Sequence, residues 1–402
     1  RLAQAMPTIK GALFSVLQFH KISHPSGSEF IEFTDLAGSA EGAYPVDVSR
    51  KDTAVLQYTG GTTGKPKGAV LSHGNVIANT TQVVAWFSDA VPGEERILGV
   101  LPMFHVFAMT TVLNMGIALG AELILLPRFQ LGQMLKTIDR LKPTLMMGVP
   151  TLYGAVNNSP VVERYDLSSI KYCISGGAPL PLDTKKQFET LTGCVLVEGY
   201  GLSEASPVCA CNPVGGRNKE GSIGLPLPET HFEIRDIEAP HVLLDIGEKG
   251  ELCVTGPQVM EGYWHNEEAT GRAIKEGRLH TGDVGYMDDE GYVFLLDRLK
   301  DLIICNGYNV YPRNIEEAIN RHPSVEEVTV IGIAEVEHGE IPKAFIKLRE
   351  GASLETDELL EFLEEYLSPI EVPREIEFRS ELPKTMIGKL SKKELREEMS
   401  ST

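Results

Sequence analysis

Short apolar runs alternate with helical patterns along the first half of the chain, and this alternation constrains the fold more than any other feature. The strand-like runs are AVLQY (54–58), ILGVL (97–101), ELILL (122–126), TLMMGV (144–149), KYCIS (171–175) and VLVEG (195–199). The segment 131–141, LGQMLKTIDRL, has the apolar spacing of an amphipathic helix. Because strands that alternate with helices form sheets covered by helices, we expect a layered α/β fold.

Three loops rich in glycine follow these strands: TGGTTGKPKG (59–68), SGGAPL (175–180) and GYGLSE (199–204). In α/β sheets, ligands bind beyond the carboxyl ends of the strands, so we expect the three loops to converge on one site. The glycines, threonines and lysines of the first loop suit a polyanion such as a nucleotide triphosphate. This loop is not a P-loop of the G-x-x-x-x-G-K-[ST] type, because Thr59 and Pro66 occupy two of its fixed positions.

Charge and cysteine content exclude several classes of partner. The 402-residue chain has a formal net charge of −19 and no run of Lys or Arg, which argues against nucleic acid or an anionic membrane surface as its main partner. Its six cysteines are scattered, so the sequence predicts neither a disulfide framework nor a paired zinc motif, and a reducing cytoplasm fits best. The chain opens on Arg1 without a signal-peptide pattern, and we expect its true N-terminus to be missing.

The stretch 106–126, VFAMTTVLNMGIALGAELILL, is long enough to span a bilayer. It contains Asn114 and Glu122, however, and Gly120 stands where a helix would end. We therefore expect a helix followed by a buried strand and no transmembrane segment.

The pattern changes after RLKDLIICNGYNVYP (298–312). An amphipathic helix from Pro312, the apolar strands VTVIGI (328–333) and KAFIKL (343–348), and the helix TDELLEFLEEYL (356–367) predict a small α+β domain. We assign residues 1–297 to a large layered α/β domain that is incomplete at its N-terminus, 298–302 to a hinge, and 303–402 to a mobile C-terminal domain.

The motifs now assembled resemble the adenylate-forming superfamily, which includes acyl-CoA synthetases, peptide-synthetase adenylation domains and luciferases. The matching segments, in the family's order, are YTGGTTGKPKGAVLSHGN, PMFHVF, GYGLSEASPV, TGD, RLKDLIICNGYNVYPRNIEEAI and LPKTMIGKL. They are most similar to those of fatty acyl-CoA synthetases, although Gly60 replaces a serine and Ser203 a threonine that are common in relatives. Relatives also carry much more chain before the phosphate loop, so part of the large domain is expected to be missing here.

The resemblance implies a two-step reaction that uses ATP, Mg²⁺ and coenzyme A. A small-molecule carboxylic acid, here a fatty acid, attacks the α-phosphate of ATP to give an acyl-adenylate and pyrophosphate. The thiol of coenzyme A then displaces AMP to form acyl-CoA. Peripheral contact with a membrane during fatty acid uptake and a homodimer are both compatible with this activity.

The resemblance also implies roles for single residues, beginning with the triphosphate. The loop that grips the phosphates comprises Thr59, Gly60, Gly61, Thr62, Thr63, Gly64 and Lys67. Glu204 is expected to bind Mg²⁺, because a carboxylate is a suitable ligand for a hard cation. Ser203 is expected to form a hydrogen bond with the α-phosphate.

Five residues are implied in binding the nucleoside. Tyr200 is expected to stack on adenine, while Ala178 and Pro179 form the wall of the adenine pocket. Asp283 and Arg298 are expected to bond the ribose hydroxyls, for which an acceptor and a donor are chemically suitable.

The remaining implied residues concern the acyl group and the domain movement. His105, within PMFHVF, is expected to gate an acyl channel, without a role in proton transfer. Lys389 reaches the adenylating site from the C-terminal domain and leaves it when that domain rotates about Lys300. Gly307 enters the site in the second state, and we expect Cys305 beside it to be structural rather than nucleophilic.

Two classes of function stay open at this point. The first is an active acyl-CoA synthetase. The alternative is a non-catalytic fragment that keeps the nucleotide pocket but does not catalyse the reaction. Among enzymes, an aryl-acid CoA ligase is the second candidate and a carrier-protein ligase the third. Met103, Phe104, Phe107 and the apolar stretch 106–126 favour an apolar acyl tunnel.

Overall fold

The structure is a computed structural model that describes residues 46–59, 66–335, 338–384 and 390–400. All elements named below belong to the compact unit Ser49–Thr402. Its described strands are β1 (Thr53–Thr59), β2 (Lys67–Ser72), β3 (Arg96–Gly99), β4 (Glu122–Leu125), β5 (Leu145–Gly148), β6 (Tyr172–Ser175), β7 (Val195–Gly201), β8 (Val208–Cys211), β9 (Leu225–Pro226), β10 (His231–Arg235), β11 (Gly250–Thr255), β12 (Gly262–Tyr263), β13 (Ile274–Lys275), β14 (Arg278–Met287), β15 (Val293–Arg298), β16 (Ile303–Cys305), β17 (Tyr308–Val310), β18 (Val325–Glu335), β19 (Gly339–Leu348) and β20 (Glu375–Phe378). Its described α-helices are α1 (His73–Trp86), α2 (Val106–Ala108), α3 (Met115–Leu119), α4 (Leu131–Leu141), α5 (Pro150–Asn157), α6 (Leu182–Thr192), α7 (Glu267–Ala273), α8 (Pro312–Asn320), α9 (Thr356–Leu363) and α10 (Lys392–Ser400).

A seven-stranded sheet in the order β4-β3-β5-β6-β7-β8-β9 forms the centre of the larger part. The pairs from β4 to β7 are parallel, and β8 and β9 add antiparallel strands at one side. One face packs on α4, α5 and α6, where Tyr153 and Phe188 meet edge to face at 4.9 Å. The other face packs on α1 and on the helical segment that contains α2 and α3. The expected layered α/β architecture is therefore confirmed.

Helix α4 has the bounds that its sequence pattern predicts. Its buried face consists of Met134, Leu135, Thr137 and Ile138, which recur at helical spacing and lie against the sheet. The helix ends at Lys142, which adopts the left-handed conformation with φ 50°.

The run AVLQY is not part of the parallel sheet, in contrast to the expectation from alternation. It forms β1, which pairs antiparallel with β2 in a separate three-stranded sheet, β1-β2-β12. A five-residue apolar run indicates a strand but carries no information about its partner, which tertiary packing decides. The run is therefore a strand, as the sequence predicts, but it lies in a different sheet from the other five runs.

The apolar stretch 106–126 is a helix followed by a strand, as expected, but the strand is not buried: β4 lies at the edge of the sheet and its Leu125 is 52% exposed. Between α2 and α3, residues Met109–Asn114 form one π-helical segment, and Gly120 ends the helix with φ 62°. Glu122 begins the edge strand β4 and lies 3.0 Å from Arg96 in an exposed ion pair. Within the described ranges, no helix is long and apolar enough to cross a bilayer.

The C-terminal part has its own sheet and core, which confirms the expected small α+β domain. Strands β17-β16-β19-β18 form this sheet, and β20 adds to β19 in parallel. Buried residues of α8 and α9, including Ile315, Ile319, Leu359 and Leu363, fill its core. A further antiparallel sheet, β10-β11-β14-β13 with β15 on β14, lies between the two parts in sequence.

Candidate functional site

The segment GYG (199–201), which we expected to follow β7, is the end of that strand. The first half of β7 pairs in parallel with β6, and the second half pairs antiparallel with β8. Gly201 is required because a Cβ there would lie 2.1 Å from a carbonyl oxygen of the neighbouring backbone. The chain then forms one 3₁₀ turn that carries Ser203 and Glu204 beyond the sheet.

Asp283 is a buried residue of β14 and the centre of a polar cluster. Tyr200 donates its hydroxyl to Asp283 Oδ2 at 2.5 Å. Arg298 lies opposite on β15 and places Nε 3.0 Å from Asp283 Oδ1. Although Asp283 Oδ1 is buried, none of the residues that the structure describes donates a hydrogen bond to it. This oxygen can therefore accept a hydrogen bond from the hydroxyl of a ligand.

The electrostatics of this cluster keep its donors protonated. Burial, together with the Asp283 carboxylate, raises the pKa of Tyr200, so its phenol retains the proton that it donates. The Asp283 carboxylate also raises the pKa of Arg298. A carboxylate oxygen and a guanidinium on neighbouring strands are an acceptor and a donor for adjacent hydroxyls such as those of ribose.

Glu204 lies in the same site and is held by a residue that the sequence did not single out. Tyr263 donates its hydroxyl to Glu204 Oε1 at 2.6 Å, and burial and this carboxylate raise the pKa of Tyr263. Lys67 Nζ lies 5.1 Å from the centre of the Tyr263 ring, within cation–π range. The Asp283 carboxylate and, to a smaller extent, the Glu204 carboxylate raise the pKa of Arg298.

The flanks of the phosphate loop lie in the same sheet as Tyr263, which binds the Glu204 carboxylate. Thr59 and Lys67 are register partners at the point where β1 and β2 pair. Strand β12, which carries Tyr263, pairs with the other side of β2. The residues between these flanks lie outside the described ranges, and their expected role stays a prediction: Gly60, Gly61, Thr62, Thr63 and Gly64.

The expected wall of the adenine pocket lies beside Tyr200. Ala178 is half-buried and Pro179 exposed in the loop that follows β6. Because β6 and β7 are adjacent and parallel, their carboxyl ends, and hence this loop and Tyr200, lie at one edge of the sheet. The Tyr200 ring is 8% exposed and lies 6.2 Å from the ring of Phe232, so its stacking on adenine stays a prediction.

The PMFHVF segment approaches the same edge. His105 caps α2 by accepting a bond from the Phe107 amide at 3.3 Å through Nδ1. The Phe107 ring packs against Gly176, in the loop that also contains Ala178. The backbone carbonyl of Phe104 accepts from the Gln57 side chain at 3.2 Å, which links the segment to β1. The structure thus brings together three motifs that are distant in sequence.

The expected hinge and coenzyme A residues lie at the start of the small domain. Lys300 is exposed in a 3₁₀ turn, Leu299–Asp301. Gly307 is exposed at the turn of the β16–β17 hairpin with φ 79°, and Cys305 is buried. This burial agrees with the prediction that Cys305 is structural rather than nucleophilic. Lys389 lies outside the described residues, so its role stays a prediction.

Two sets of contacts involve residues on either side of Lys300, and the first of them crosses the expected hinge. On one side, Asp297 Oδ2 accepts from the backbone amide of Arg313 at 2.8 Å, and the Arg313 side chain donates to the Leu295 carbonyl. On the other side, Asp301 and Arg396 form an ion pair at 2.7 Å. Helices α8 and α10 are therefore both tied to residues that flank Lys300.

Sequence reasoning missed Tyr263 and Arg313. The segment EGYW (261–264) contains two adjacent aromatic residues after a glycine in a polar loop, and this was the available signal for Tyr263. No signal of this kind marks Arg313, which resembles any basic residue in the first turn of an amphipathic helix.

Comparison with known proteins identifies the two parts of the chain. Residues 9–264 match the model of the AMP-binding enzyme family, and residues 314–389 match that of the AMP-binding enzyme C-terminal domain. The chain is 50% identical to a long-chain-fatty-acid–CoA ligase of Bacillus subtilis over 86% of its own length and 62% of the relative's. It is 38% identical to a feruloyl-CoA synthase of Amycolatopsis sp over 87% of this chain and 70% of that one.

Solved structures agree with the sequence matches. The crystal structure of ATP-bound MatB from Rhodopseudomonas palustris superposes with a TM-score of 0.84 and 33% identity, covering 91% of this chain and 72% of that one. The chain spans about 62% of the length of the first curated relatives that it matches. Since a family model covers more than half of the chain and the polar cluster lies where three of its motifs meet, the chain belongs to the AMP-binding, or adenylate-forming, enzyme family.

Proposed function

We propose that the chain contributes the nucleotide site and the C-terminal domain of an ATP-dependent fatty acyl-CoA synthetase, an acid–thiol ligase that forms AMP. A fatty acid carboxylate attacks the α-phosphate of ATP, and pyrophosphate leaves. The coenzyme A thiol then attacks the acyl carbon, and AMP leaves. Similarity to the long-chain-fatty-acid–CoA ligase of Bacillus subtilis supports this substrate class.

The observation that carries the proposal is the Asp283 cluster. The buried oxygen Oδ1 has an ion pair with Arg298 but no hydrogen bond from the described residues, so it keeps acceptor capacity for a ligand. Tyr200 fixes the other oxygen, so the orientation of the carboxylate is set before the ligand binds. Arg298 is half-exposed beside it and supplies a donor. Together these groups suit the two ribose hydroxyls of ATP.

The reaction must bring one anion onto another. Two unit charges 4 Å apart repel by about 1 kcal/mol in water and by about 4 kcal/mol at the effective dielectric of a protein surface. Lys67 and the predicted Lys389 provide positive charge around the triphosphate. The carboxylate of Glu204, oriented by Tyr263, suits Mg²⁺, which would neutralise phosphate charge when bound. For Ser203, one residue earlier, the proposed role is a hydrogen bond with the α-phosphate.

For the acyl group we propose a channel along the PMFHVF segment. Phe107 and most of the helical segment after it are buried, while Phe104, just before His105, is 68% exposed. An apolar channel suits a fatty acyl chain, and His105 is the proposed gate. Similarity to a feruloyl-CoA synthase favours an aryl acid as the second candidate.

For the second half-reaction we propose the division 1–297, 298–302 and 303–402, with rotation about Lys300. The contacts of Asp297 with Arg313 would break in this rotation, whereas those of Asp301 with Arg396 would move with the small domain. Gly307, at an exposed hairpin turn, would then line the path of the pantetheine arm. Cysteines that are all free support the proposed cytoplasmic location, and peripheral membrane contact would follow from the low solubility of fatty acids.

Pyrophosphate release across a panel of saturated fatty acids and hydroxycinnamic acids tests the proposal. We expect release that depends on both ATP and a fatty acid and that is faster with longer acyl chains. Release with the aromatic acids alone would support the aryl-acid ligase. No release with any acid, in a protein that still binds ATP, would support the non-catalytic nucleotide-binding alternative.

A further inference from the structure

Three side chains with metal-binding atoms meet on one face of the β11–β14 pair. Glu251 and Cys253 are two residues apart on β11, so both point to the same face of the sheet. His280 on β14 is the register partner of Cys253. One ligand atom from each of the three side chains lies within 4.8 Å of the other two. Among the residues that the structure describes, only this group of three His, Cys, Asp or Glu side chains is so close.

The cluster is built into the protein rather than spread over its surface. The side chains of His280 and Glu251 are 8% and 10% exposed, and Cys253 is 1% exposed. His280 Nδ1 lies 2.7 Å from Glu251 Oε2 and 3.4 Å from Cys253 Sγ. The second oxygen of Glu251 accepts from the Gly282 amide at 3.0 Å, which fixes the carboxylate toward the histidine.

The arrangement does not suit a cysteine nucleophile. In a Cys–His–carboxylate triad the thiol and the carboxylate contact different nitrogens of the ring, because one nitrogen takes the proton while the other is held. Here both contact Nδ1. Burial, with the nearby Glu251 carboxylate, also raises the pKa of Cys253 to about 12, which keeps the free thiol unreactive.

The charges around the cluster also allow a cation. Arg235 and Arg278 lie near Cys253, but each is paired with Glu233, at 2.9 and 2.7 Å. Arg278 has a second acidic partner, Glu276, at 2.9 Å. The positive charge nearby is therefore largely balanced by carboxylates that do not belong to the cluster.

We propose that Glu251, Cys253 and His280 bind a divalent transition-metal ion, zinc in the first place, with water as the fourth ligand. One sulfur, one nitrogen and one carboxylate oxygen suit a borderline-soft ion and not Mg²⁺. A tetrahedral zinc ion places its ligand atoms roughly 3.3 to 3.6 Å apart, so Nδ1 and Oε2 need to separate by roughly 0.6 Å from their present hydrogen bond. This site is distinct from Glu204 and goes beyond the ligase reaction.

The position of the site gives it a consequence for stability. His280 and Asp283 belong to the same strand, and a metal there would cross-link β11 to β14 next to the nucleotide site. Because the ion binds the folded chain, in which the three ligands meet, it should raise the melting temperature.

Titration of the full chain with Co²⁺, without nucleotide, is the test. A cobalt–thiolate bond gives a charge-transfer absorption in the near ultraviolet, which reports directly on a cysteine ligand. We expect this absorption in the parent, its loss on addition of Zn²⁺, and no loss on addition of a large excess of Mg²⁺. Zn²⁺ alone should also raise the melting temperature of the parent.

Variants locate the ligands. Cys253→Ala should lose the absorption and the thermal shift, whereas Cys211→Ala, at another buried cysteine, should keep both. Glu251→Gln keeps the shape of the ligand and should weaken Co²⁺ binding at least tenfold. Absorption that persists in a folded Cys253→Ala protein, or a parent that gives none, would overturn the proposal.

Discussion

At the scale of single residues, the Asp283 carboxylate determines how the nucleoside site is organised. We predict that Asp283→Asn weakens ATP binding roughly thirtyfold, because a hydrogen bond to a charged group contributes about 2 kcal/mol. The amide would also lose its ion pair with Arg298. Calorimetric titration with ATP measures the effect. Asp289→Asn, an exposed acid in the turn between β14 and β15, is the control, and equal affinities of the two variants would remove Asp283 from the site.

Glu198 makes the free energy of unfolding depend on pH. Burial raises its pKa to about 7 from the ordinary value of 4.5, and Glu317 adds to this effect while Arg313, the Leu180 amide and Lys185 oppose it. Between these two pH values the folded state holds a proton that the unfolded state has lost. The free energy of unfolding therefore falls as pH rises through this window and levels off above pH 7.

We predict that Glu198→Gln removes this fall. Above pH 7 the charged carboxylate costs on the order of 3 kcal/mol, so the variant should melt at a higher temperature than the parent at pH 8 and near the parent's temperature at pH 4.5. Thermal melts across this range measure the effect, with the exposed Glu163→Gln as control. A difference between parent and variant that does not change with pH would contradict the assignment.

The identity of site residues could be predicted from sequence only where a motif marks them. Asp283 and Arg298 were predicted from family motifs, and the structure pairs them across β14 and β15. Tyr263 was missed because its partner Glu204 lies 59 residues away in sequence, and no local pattern reports such a contact. The Glu251–Cys253–His280 group was missed for the same reason, since its members share a face only after β11 and β14 pair.

At the scale of elements, the start of α1 links the phosphate-loop hairpin to the loop before Tyr263. Ser72 and Asn75 form a capping box, and the Asn75 side chain also donates to the carbonyls of Pro257 and Val259, at 2.8 and 2.9 Å. The helix cap is thus also a tether for the segment that leads to β12.

We predict that Asn75→Ala lowers the free energy of unfolding by roughly 1 to 3 kcal/mol, because it removes the Asn75 half of the capping box and the side-chain donor to two carbonyls. Adenylation should slow as well, since Tyr263 loses its support. Urea unfolding gives the first quantity and pyrophosphate release the second. Thr81→Ala, at an exposed position of the same helix, should change neither, and a loss of similar size there would show that the cap has no special role.

Elements with strong local signals were predicted well. Helix α4, the end of the helix at Gly120 and the helix from Pro312 all have clear periodicity or a terminating residue. The strand β1 and the end of β7 were assigned less well. A short apolar run does not indicate which strand it will pair with. The strand β7 continues to Gly201 because its end pairs with the antiparallel strand β8, and nothing in the GYG segment itself indicates this pairing.

At the scale of the whole molecule, the bonds on either side of Lys300 define how the small domain would move. We predict that Lys300→Pro slows overall thioester formation more than pyrophosphate release in the first turnover, because proline fixes φ at the rotating residue. Rapid-quench measurement of both rates distinguishes the steps. Lys300→Ala removes the charge but keeps backbone rotation and should resemble the parent, whereas equal slowing of both steps by proline would place the hinge elsewhere.

We propose that Glu204, held by Tyr263, supports metal-dependent formation of an acyl-adenylate. The most direct test measures acyl-adenylate by mass spectrometry in single turnovers with a long-chain fatty acid, ATP and increasing Mg²⁺. We predict that Glu204→Gln needs more Mg²⁺ and forms adenylate at least a hundredfold more slowly, since a neutral amide balances less of the metal and phosphate charge. Glu261→Gln, an exposed acid in the loop of Tyr263, should match the parent. Unchanged rate and Mg²⁺ dependence in Glu204→Gln would contradict the account.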